Sequence, residues 1–386
     1  MRIIRLNDET NVVSLMERIH VDKSGIQIMK KKKSEYLFFI KDLSCGAANI
    51  LKQDALSCGA ELAVPMGVPN CKRSHFDAVL MCTRKQLEII VKKEFFQPFG
   101  LKELAKQLKK HIKPPKFPLR IMGVINANDD SFFEGSRFSG KDAIKAIENM
   151  ISDGAEIIDI GGVSSRPGSV YPGVEEELKR VKPIIDEIYH SKLYEKALFS
   201  IDTFEVEVLE YALERGFKIA NDITGLESDE YAKTVAKYGA AVVIMHKKGT
   251  PKDMQENPYY EDVISEVDDF FCERVQKAES FGIKEIILDV GIGFGKRLED
   301  NIALIKHMRH FLHYGYELLI GASRKSMIDM IMQKEGISTS PTERLPGTLT
   351  LHTEAVRNGA SIVRCHDVKE HFQSLKVFEA LRKYDV

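Results

Sequence analysis

Apolar and amphipathic stretches alternate regularly along the last two thirds of the chain. The apolar runs are short and rich in β-branched residues, which is typical of strands buried on both faces of a parallel sheet. The stretches between them repeat apolar residues about every 3.6 positions, as amphipathic helices do. The predicted strands span 121–125, 155–160, 197–201, 218–220, 241–245, 285–288, 317–320 and 361–363. The predicted helices span 141–152, 175–189, 206–215, 229–238, 262–281, 301–313, 342–358 and 368–383.

This alternation predicts an α/β protein with a closed (β/α)₈ TIM barrel over residues 119–386. An open, doubly wound sheet is the second possibility. Such a sheet normally has fewer strands and a Gly-x-Gly-x-x-Gly turn after the first one. Here the first strand is followed by Asn126-Ala-Asn-Asp-Asp-Ser, which favours the barrel.

The first 113 residues lack this regularity. Strands at 36–40 and 78–82 and helices at 45–60 and 102–111 predict a small α/β domain, whose pattern indicates no function. Prolines at 114, 115 and 118 resist both helix and sheet, so residues 114–118 are predicted to be a linker.

Composition excludes several classes of protein. Hydrophobic residues make up 44% and charged residues 29% of the chain, as in a soluble globular protein. No apolar run approaches the roughly 18 residues of a membrane span, and the first residues lack a secretory signal, so a cytoplasmic protein is expected. The net charge of −1 divides into +9 over residues 1–115 and −10 over the remainder. The basic residues lack interleaved aromatic side chains, which disfavours nucleic-acid binding and favours a solvated face or docking on the acidic remainder.

The cysteines predict neither a zinc site nor a disulfide framework. Their positions form no Cys-x-x-Cys pair, and the expectation is reduced, partly buried thiols. They are Cys45, Cys58, Cys71, Cys82, Cys272 and Cys365.

Every predicted barrel strand ends in polar or charged residues. A parallel barrel brings the carboxyl ends of its strands to one face, where catalytic groups collect. Any one of these residues could have a structural role, such as capping the next helix. Because all eight strands share the feature, we expect an active site there. The residues are Asn126, Asp130 and Ser131; Asp159, Ser164, Ser165 and Arg166; Asp202 and Thr203; Asn221 and Asp222; His246; Asp289; Ser323, Arg324 and Lys325; and Arg364, His366 and Asp367.

These residue types indicate two kinds of binding. Asp202, Asn221 and Asp289 offer the acceptors and the amide that suit a planar heterocycle rich in nitrogen. Arg364 and His366 lie two residues apart, so their side chains share one side of the strand. With Asn126 they would bind a phosphate or a metal-bound diphosphate, with Lys325 and Ser323 beside it. Asp159 is expected at the rim, in a role not separable from structural support.

Ordered motifs from residue 121 onward resemble the dihydropteroate synthases. The resemblance rests on Met122-Gly-Val-Ile-Asn126 with Asp130-Ser-Phe132, Asp159-Ile-Gly-Gly162 with Ser165-Arg-Pro-Gly168, Ser200-Ile-Asp-Thr203, Asn221-Asp-Ile223, Met245-His246 with Gly249-Thr-Pro251 and Met254-Gln255, Asp289 with Gly291-Ile-Gly-Phe-Gly-Lys296, Ser323-Arg-Lys325 and Arg364-x-His-Asp-Val368. The basic N-terminal third has no counterpart in the minimal enzyme of this family.

The resemblance implies a folate-pathway transferase that sulfonamides inhibit. It joins 6-hydroxymethyl-7,8-dihydropterin diphosphate to p-aminobenzoate, giving 7,8-dihydropteroate and pyrophosphate, with Mg²⁺ as cofactor, no protein nucleophile and a homodimeric assembly. The implied catalytic residues are Arg364, His366, Lys325 and Asp130. The implied pterin residues are Asp202, Asn221, Ile223, Met245, Asp289, Gly293 and Lys325. Asn126, Arg364 and His366 correspond to the diphosphate site, with Mg²⁺ at Asn126, and Ser165, Arg166, Pro167, Phe294 and Ser323 to the p-aminobenzoate pocket and its lid.

The chain departs from the family pattern in three places. Ala127-Asn128-Asp129 replaces a Val-Thr-Pro segment, Val163 and Ser165 stand where Glu and Thr are common, and Asp289-Val-Gly291 replaces Asp-Pro-Gly. These changes are expected to affect loop closure and sulfonamide affinity more than the reaction. Two alternatives remain open: a pterin barrel that transfers a methyl group from methyltetrahydrofolate, which needs no diphosphate site, and a barrel that binds pterin without catalysis.

Overall fold

The computed structural model describes residues 10–33, 35–127, 141–163, 169, 171–249, 254 and 256–383. The chain forms two compact units. One contains the residues up to Pro114 together with those from Glu379 onward, and the other runs from Pro115 to Phe378. None of the helices in the described ranges combines the length and apolar content that crossing a membrane requires.

The first unit packs helices against a small sheet. Its strands β1 (Glu35–Ser44), β2 (Glu61–Ala63) and β3 (His75–Thr83) lie in the order β1-β3-β2, and both pairings are antiparallel. Buried side chains such as Leu51, Leu80 and Leu87 form its core. The helices are α1 (Val12–Arg18), α2 (Lys23–Lys33), α3 (Cys45–Ser57), α4 (Arg84–Glu94) and α5 (Leu101–Lys110).

The sequence pattern predicted only some of the strands and helices of this unit. The two predicted strands and two predicted helices are present as β1, β3, α3 and α5, but α1, α2, β2 and α4 were not predicted. The expectation that all cysteines are reduced is wrong for one pair: Cys45 and Cys71 form a disulfide with their Cα atoms 5.6 Å apart. Cys45 begins α3, and the chain after β2 returns Cys71 to it. Spacing along the sequence does not encode this contact.

The second unit is the predicted closed barrel. Each strand pairs in parallel with its successor, and the last strand closes on the first. Five consecutive apolar residues in β8 illustrate why these runs form strands: all are buried, as expected between barrel interior and outer helices. The strands are β4 (Arg120–Asn126), β5 (Ile157–Gly161), β6 (Leu198–Asp202), β7 (Ile219–Asp222), β8 (Ala241–Met245), β9 (Ile286–Asp289), β10 (Glu317–Ile320) and β11 (Ile362–Cys365).

Helices follow the strands and cover the barrel. Side-chain caps begin two of them: Ser228 accepts from the backbone N–H of Tyr231, and Asp262 accepts from those of Ile264 and Ser265. The helices are α6 (Lys141–Ser152), α7 (Val174–His190), α8 (Val206–Leu213), α9 (Asp229–Tyr238), α10 (Val263–Ser280), α11 (Leu298–Lys306), α12 (Ser326–Gln333), α13 (Leu345–Arg357) and α14 (Val368–Lys383).

The structure corrects the predicted helices in two places. Helix α12 was not predicted, because the polar Ser323-Arg-Lys motif leads directly into it and resembles a loop. The predicted helix 301–313 is instead α11 followed by a 3₁₀ turn, Met308–Tyr314.

Alternation along the strands separates the barrel interior from its outer shell. An apolar layer fills the interior, and it includes Ile157, Ile219, Ile287 and Ile362. Two residues further along the same strands come Asp159, Asn221, Asp289 and Arg364. Successive side chains of a strand point to opposite faces, so these polar groups also point inward, one layer nearer the carboxyl end. Cys365, by contrast, lies in the outer core.

Candidate active site

The polar ends of four neighbouring strands lie side by side. Pairing puts Asn126 opposite Gly161, Gly161 opposite Asp202, and Asp202 opposite Asn221. Gly161 leaves space between its neighbours, since a Cβ there would lie 3.7 Å from Asp202 Oδ2 and 3.8 Å from Asn126 Oδ1. The amide oxygen and the carboxylate therefore face a common space at the barrel mouth.

Arg364 lies on β11, which pairs with β4, and its side chain reaches carboxylates of β5 and β6. Its Nε donates to Asp159 Oδ2 at 2.7 Å, and its Nη2 donates to Asp202 Oδ2 at 2.9 Å. Asn221 Nδ2 donates to the same Asp159 oxygen at 3.0 Å. Burial raises the pKa of Asp202 above its ordinary value, and Arg364 opposes this effect. The predicted heterocycle wall and the predicted anion site are thus one network rather than two separate regions.

Asp159 is a site residue that the sequence reading undervalued. It is fully buried rather than at the rim, and it holds both Arg364 and Asn221. A charge within the apolar run Ile157-Ile-Asp-Ile160 could have shown this, because a buried carboxylate requires a charged or hydrogen-bonding partner.

Asp289 ends β9 and anchors the glycine-rich loop that follows. Its Oδ1 accepts from the backbone N–H of Gly291 at 2.8 Å. Burial raises the pKa of Asp289, against the effects of Lys325, Arg364 and Lys296.

Lys296 is a second functional residue to which sequence reasoning gave no role. It is buried, and its Nζ donates to the carbonyl oxygens of His246, Gly291 and Phe294 at 3.1, 2.9 and 3.0 Å. This ammonium holds the loop after β9 against the end of β8. Gly291 has φ +67°, and a Cβ there would lie 1.8 Å from the His246 carbonyl oxygen, so only glycine fits.

Lys325 reaches back over the same loop. Its Nζ donates to the carbonyl oxygen of Ile292 and lies 4.2 Å from the centre of the Phe294 ring. A Cβ on Gly293 would meet Lys325 Cδ at 3.1 Å. Burial lowers the pKa of Lys325 to about 8, and Asp289 opposes the shift. The structure therefore brings together the predicted residues Lys325, Phe294, Gly293 and Asp289.

Ser323 and His366 follow the paired strands β10 and β11 and are in direct contact. Ser323 Oγ lies 2.8 Å from His366 Nδ1 and also accepts from the backbone N–H of His366 at 3.4 Å. Burial and then Arg364 lower the pKa of His366 to about 4, so its ring is neutral at pH 7. The Ser323 oxygen has two lone pairs and one hydrogen, so it can accept from the backbone N–H and still either donate to Nδ1 or accept from it. The contact therefore orients the imidazole ring whichever nitrogen carries the ring proton.

Of the other predicted residues, the structure describes some and not others. Met245 is buried at the end of β8, and Ile223 is half-buried after β7. Ala127 is buried and donates its N–H to the carbonyl of Gly161 at 2.7 Å, and Val163 is half-buried. The predictions for Asp130, Ser165, Arg166, Pro167, Asn128 and Asp129 lie outside the described residues.

The donor groups at the mouth suit a hard cation. Mg²⁺ prefers oxygen ligands and commonly takes one or two from the protein and others from phosphate. The Asn126 amide oxygen and the Asp202 carboxylate, which face the space at Gly161, match that preference.

Comparison with known proteins agrees with this geometry. Residues 122–366 match the family described as pterin binding enzyme. The chain is 42% identical to a bifunctional dihydropteroate synthase/dihydropteroate reductase of Helicobacter pylori over 388 residues, all of both chains. It is 40% identical to the dihydropteroate synthase of Escherichia coli over 263 residues, 67% of this chain and 90% of that one. The Yersinia pestis dihydropteroate synthase, solved with a sulfonamide drug complex, is 34% identical with TM-score 0.65, covering 69% of this chain and 95% of that one.

The chain therefore belongs to the family of pterin-binding barrel enzymes. Within that family its activity is that of a dihydropteroate synthase, in folate biosynthesis.

Proposed function

We propose that the barrel condenses 6-hydroxymethyl-7,8-dihydropterin diphosphate with p-aminobenzoate, as a transferase of an alkyl group other than methyl. The observation that carries this assignment is the Arg364 network. In this network the Arg364 guanidinium contacts the carboxylates of Asp159 and Asp202 at the barrel mouth. The pterin half of the substrate requires such acceptors, and the diphosphate half requires such a cation. A methyltetrahydrofolate barrel would use the wall but would have no need of Arg364 and His366 for a diphosphate.

The carboxylate side of the network would hold the pterin ring. Asn221 and Asp289 offer an amide and an acceptor to ring and exocyclic nitrogens, and Met245 lies beside them in the barrel. Asp202 and Asp289 as anions would favour positive charge on the pterin after its bond to the diphosphate breaks. Lys325, over the loop of Gly293 and Phe294, would fix the orientation of the ring. Ile223 would close the wall after β7.

The cationic side would receive the departing diphosphate. Arg364 offers a fork of donors, and the neutral His366 ring, oriented by its contact with Ser323, would donate to a phosphate oxygen in the tautomer that carries the proton on Nε2. Bound Mg²⁺, held by Asn126, would neutralise part of the diphosphate charge. Ser323 and Phe294 would contact p-aminobenzoate, whose arylamine attacks the pterin methylene. The loop roles that the family resemblance implies are retained for Asp130, Ser165, Arg166 and Pro167. A homodimer and sulfonamide binding are expected from the same resemblance.

The purified full-length chain is expected to form dihydropteroate and pyrophosphate from the two substrates with Mg²⁺. Chromatography and a pyrophosphate assay, each with one component omitted, provide the measurement. If saturating substrates give no dihydropteroate while the Escherichia coli enzyme succeeds in parallel, the assignment is wrong.

We propose a second activity, reduction of dihydropteroate, because of how the relatives align. The Helicobacter pylori bifunctional protein matches the whole chain, whereas the Escherichia coli synthase matches only 67% of it. The pterin binding enzyme family matches residues 122–366, so the N-terminal residues up to Pro114 lie outside the matched part. The reaction would add hydride to the N5=C6 bond at C6 and a proton at N5, while a reduced nicotinamide or flavin donor is oxidised by two electrons.

Full-length protein supplied with dihydropteroate and NADPH, NADH or chemically reduced flavin is expected to give tetrahydropteroate. Mass spectrometry detects the gain of two hydrogens, and the Escherichia coli synthase, which lacks the extra residues, is the matched negative control. Equal product with both proteins, or none with any donor, would rule out the assignment without affecting the synthase proposal.

A further inference from the structure

Two buried histidines behind the active site have no role in the proposed chemistry. His352 lies on α13 and His371 on α14, and they are 0% and 1% exposed. His352 Nδ1 lies 2.8 Å from His371 Nε2. Both rings are buried, so the groups that they contact indicate their role.

The outer nitrogens of the pair contact the backbone next to two active-site residues. Ala322 donates its N–H to His352 Nε2 at 2.9 Å, and His371 Nδ1 lies 2.6 Å from the Asp367 carbonyl oxygen. Ala322 directly precedes Ser323, and Asp367 directly follows His366. The pair therefore spans the two strand ends whose side chains make the 2.8 Å contact between Ser323 Oγ and His366 Nδ1.

The end groups determine where the ring protons lie. A backbone N–H can only donate, so Nε2 of His352 must accept and its proton sits on Nδ1. That proton is donated to His371 Nε2, and the Nδ1 proton of His371 is donated to Asp367, since a carbonyl can only accept. Burial lowers the pKa of both rings, which keeps them neutral. All three hydrogen bonds run in one direction, and each depends on the next.

A separate set of contacts braces the same loop. Arg324 has φ +57° and is buried. Its Nε donates to Asp367 Oδ2 at 2.9 Å, and its N–H donates to Thr348 Oγ1 at 2.9 Å. Because side chains and backbone tie residues 322–324 to Asp367, a small displacement at either end of the histidine pair reaches the Ser323–His366 contact.

We propose that His352 and His371 are positioning residues for the synthase reaction, setting the distance between Ser323 and His366 by linking the Ala322 N–H to the Asp367 carbonyl. The inference rests on the proposed roles of Ser323 and His366. Misplacement of reacting groups by about 1 Å can cost about 10²-fold in rate, so the pair would act on turnover more than on binding.

The test compares His352→Leu with His352→Gln in the full-length chain. Leucine fills the site without hydrogen bonds, and kcat is expected to fall about 10- to 100-fold with KM for either substrate changed less than about threefold. Glutamine offers an acceptor for the Ala322 N–H and a donor toward His371, and should restore kcat to within about threefold of the parent. Leu304→Ala, on α11, is the control, since it loses about 2–5 kcal/mol of stability through a core cavity and should keep kcat.

A second substitution tests the link itself and serves if His352→Leu fails to fold. His371→Asn can still donate to the Asp367 carbonyl but does not reach His352. A fall in kcat comparable to that of His352→Leu supports the proposal. Parental kcat in His371→Asn, or equal loss in His352→Gln, His352→Leu and Leu304→Ala, would overturn it. Because the parent must make product in the same assay, failure of the proposed function appears separately, as an inactive parent.

Discussion

Replacing Arg364 by Met is expected to lower kcat/KM for the dihydropterin diphosphate by about 10³-fold or more. The guanidinium is the cation that both Asp159 and Asp202 contact, and it would also meet the diphosphate. Its removal takes away charge neutralisation in the transition state and leaves the buried Asp159 and the half-buried Asp202 without their cationic partner, while Asn221 still donates to Asp159. Breaking such a pair is strongly unfavourable, and the pKa of Asp202 would rise further. Steady-state kinetics with varied dihydropterin diphosphate measure the effect.

Neighbouring Cys365 supplies the matched control for Arg364. Its side chain is buried in the outer core, on the opposite side of β11. Cys365→Ala should cost some stability but change kcat/KM by less than about threefold, because it leaves the mouth intact. Arg364→Lys keeps the charge but not the planar fork, and should recover only part of the loss. Similar kinetic losses in Arg364→Met and Cys365→Ala would contradict the assigned orientation of the strand.

Replacing Lys296 by Met is expected to lower the free energy of unfolding of the barrel by on the order of 3 kcal/mol. Methionine fills similar space but offers no donor to the carbonyls of His246, Gly291 and Phe294. A buried carbonyl oxygen that loses its donor is destabilising, because water cannot reach it to replace the hydrogen bond. Asp289 would also lose a nearby cation, so its pKa would rise further and pterin binding should weaken. Burial lowers the pKa of Lys296 to about 7, so urea unfolding at pH 6, where the side chain is mostly an ammonium, measures the stability change.

Lys248→Met is the control for Lys296. Lys248 is exposed and donates to the Tyr259 carbonyl and to Glu266 at 3.0 Å. Exposed ion pairs contribute about 0–1 kcal/mol, so its replacement should shift stability little. If both variants unfold at the same urea concentration as the parent, the ammonium does not hold the loop, and the stated role of Lys296 is wrong.

Much of the active site follows from local pattern. A residue placed at the carboxyl end of a parallel barrel strand must lie at the mouth, so Asn126, Asp202, Asn221 and Asp289 could be assigned from their strands alone. Their alternation with interior residues such as Ile287 also determined which way they face. The same reasoning undervalued Asp159, because its contacts come from elsewhere in the chain.

The sequence by itself determined the architecture and the residue types at the mouth. Periods of two and 3.6 residues depend only on residues close together along the chain, so they can be recognised in the sequence before the fold is known. The tertiary structure alone decided the pairings: Arg364 meets Asp159 across 205 residues and Asp202 across 162. The histidine pair, the three acceptors of Lys296 and the Cys45–Cys71 disulfide belong to the same category. Such contacts depend on barrel closure and on how loops return, which no local pattern encodes.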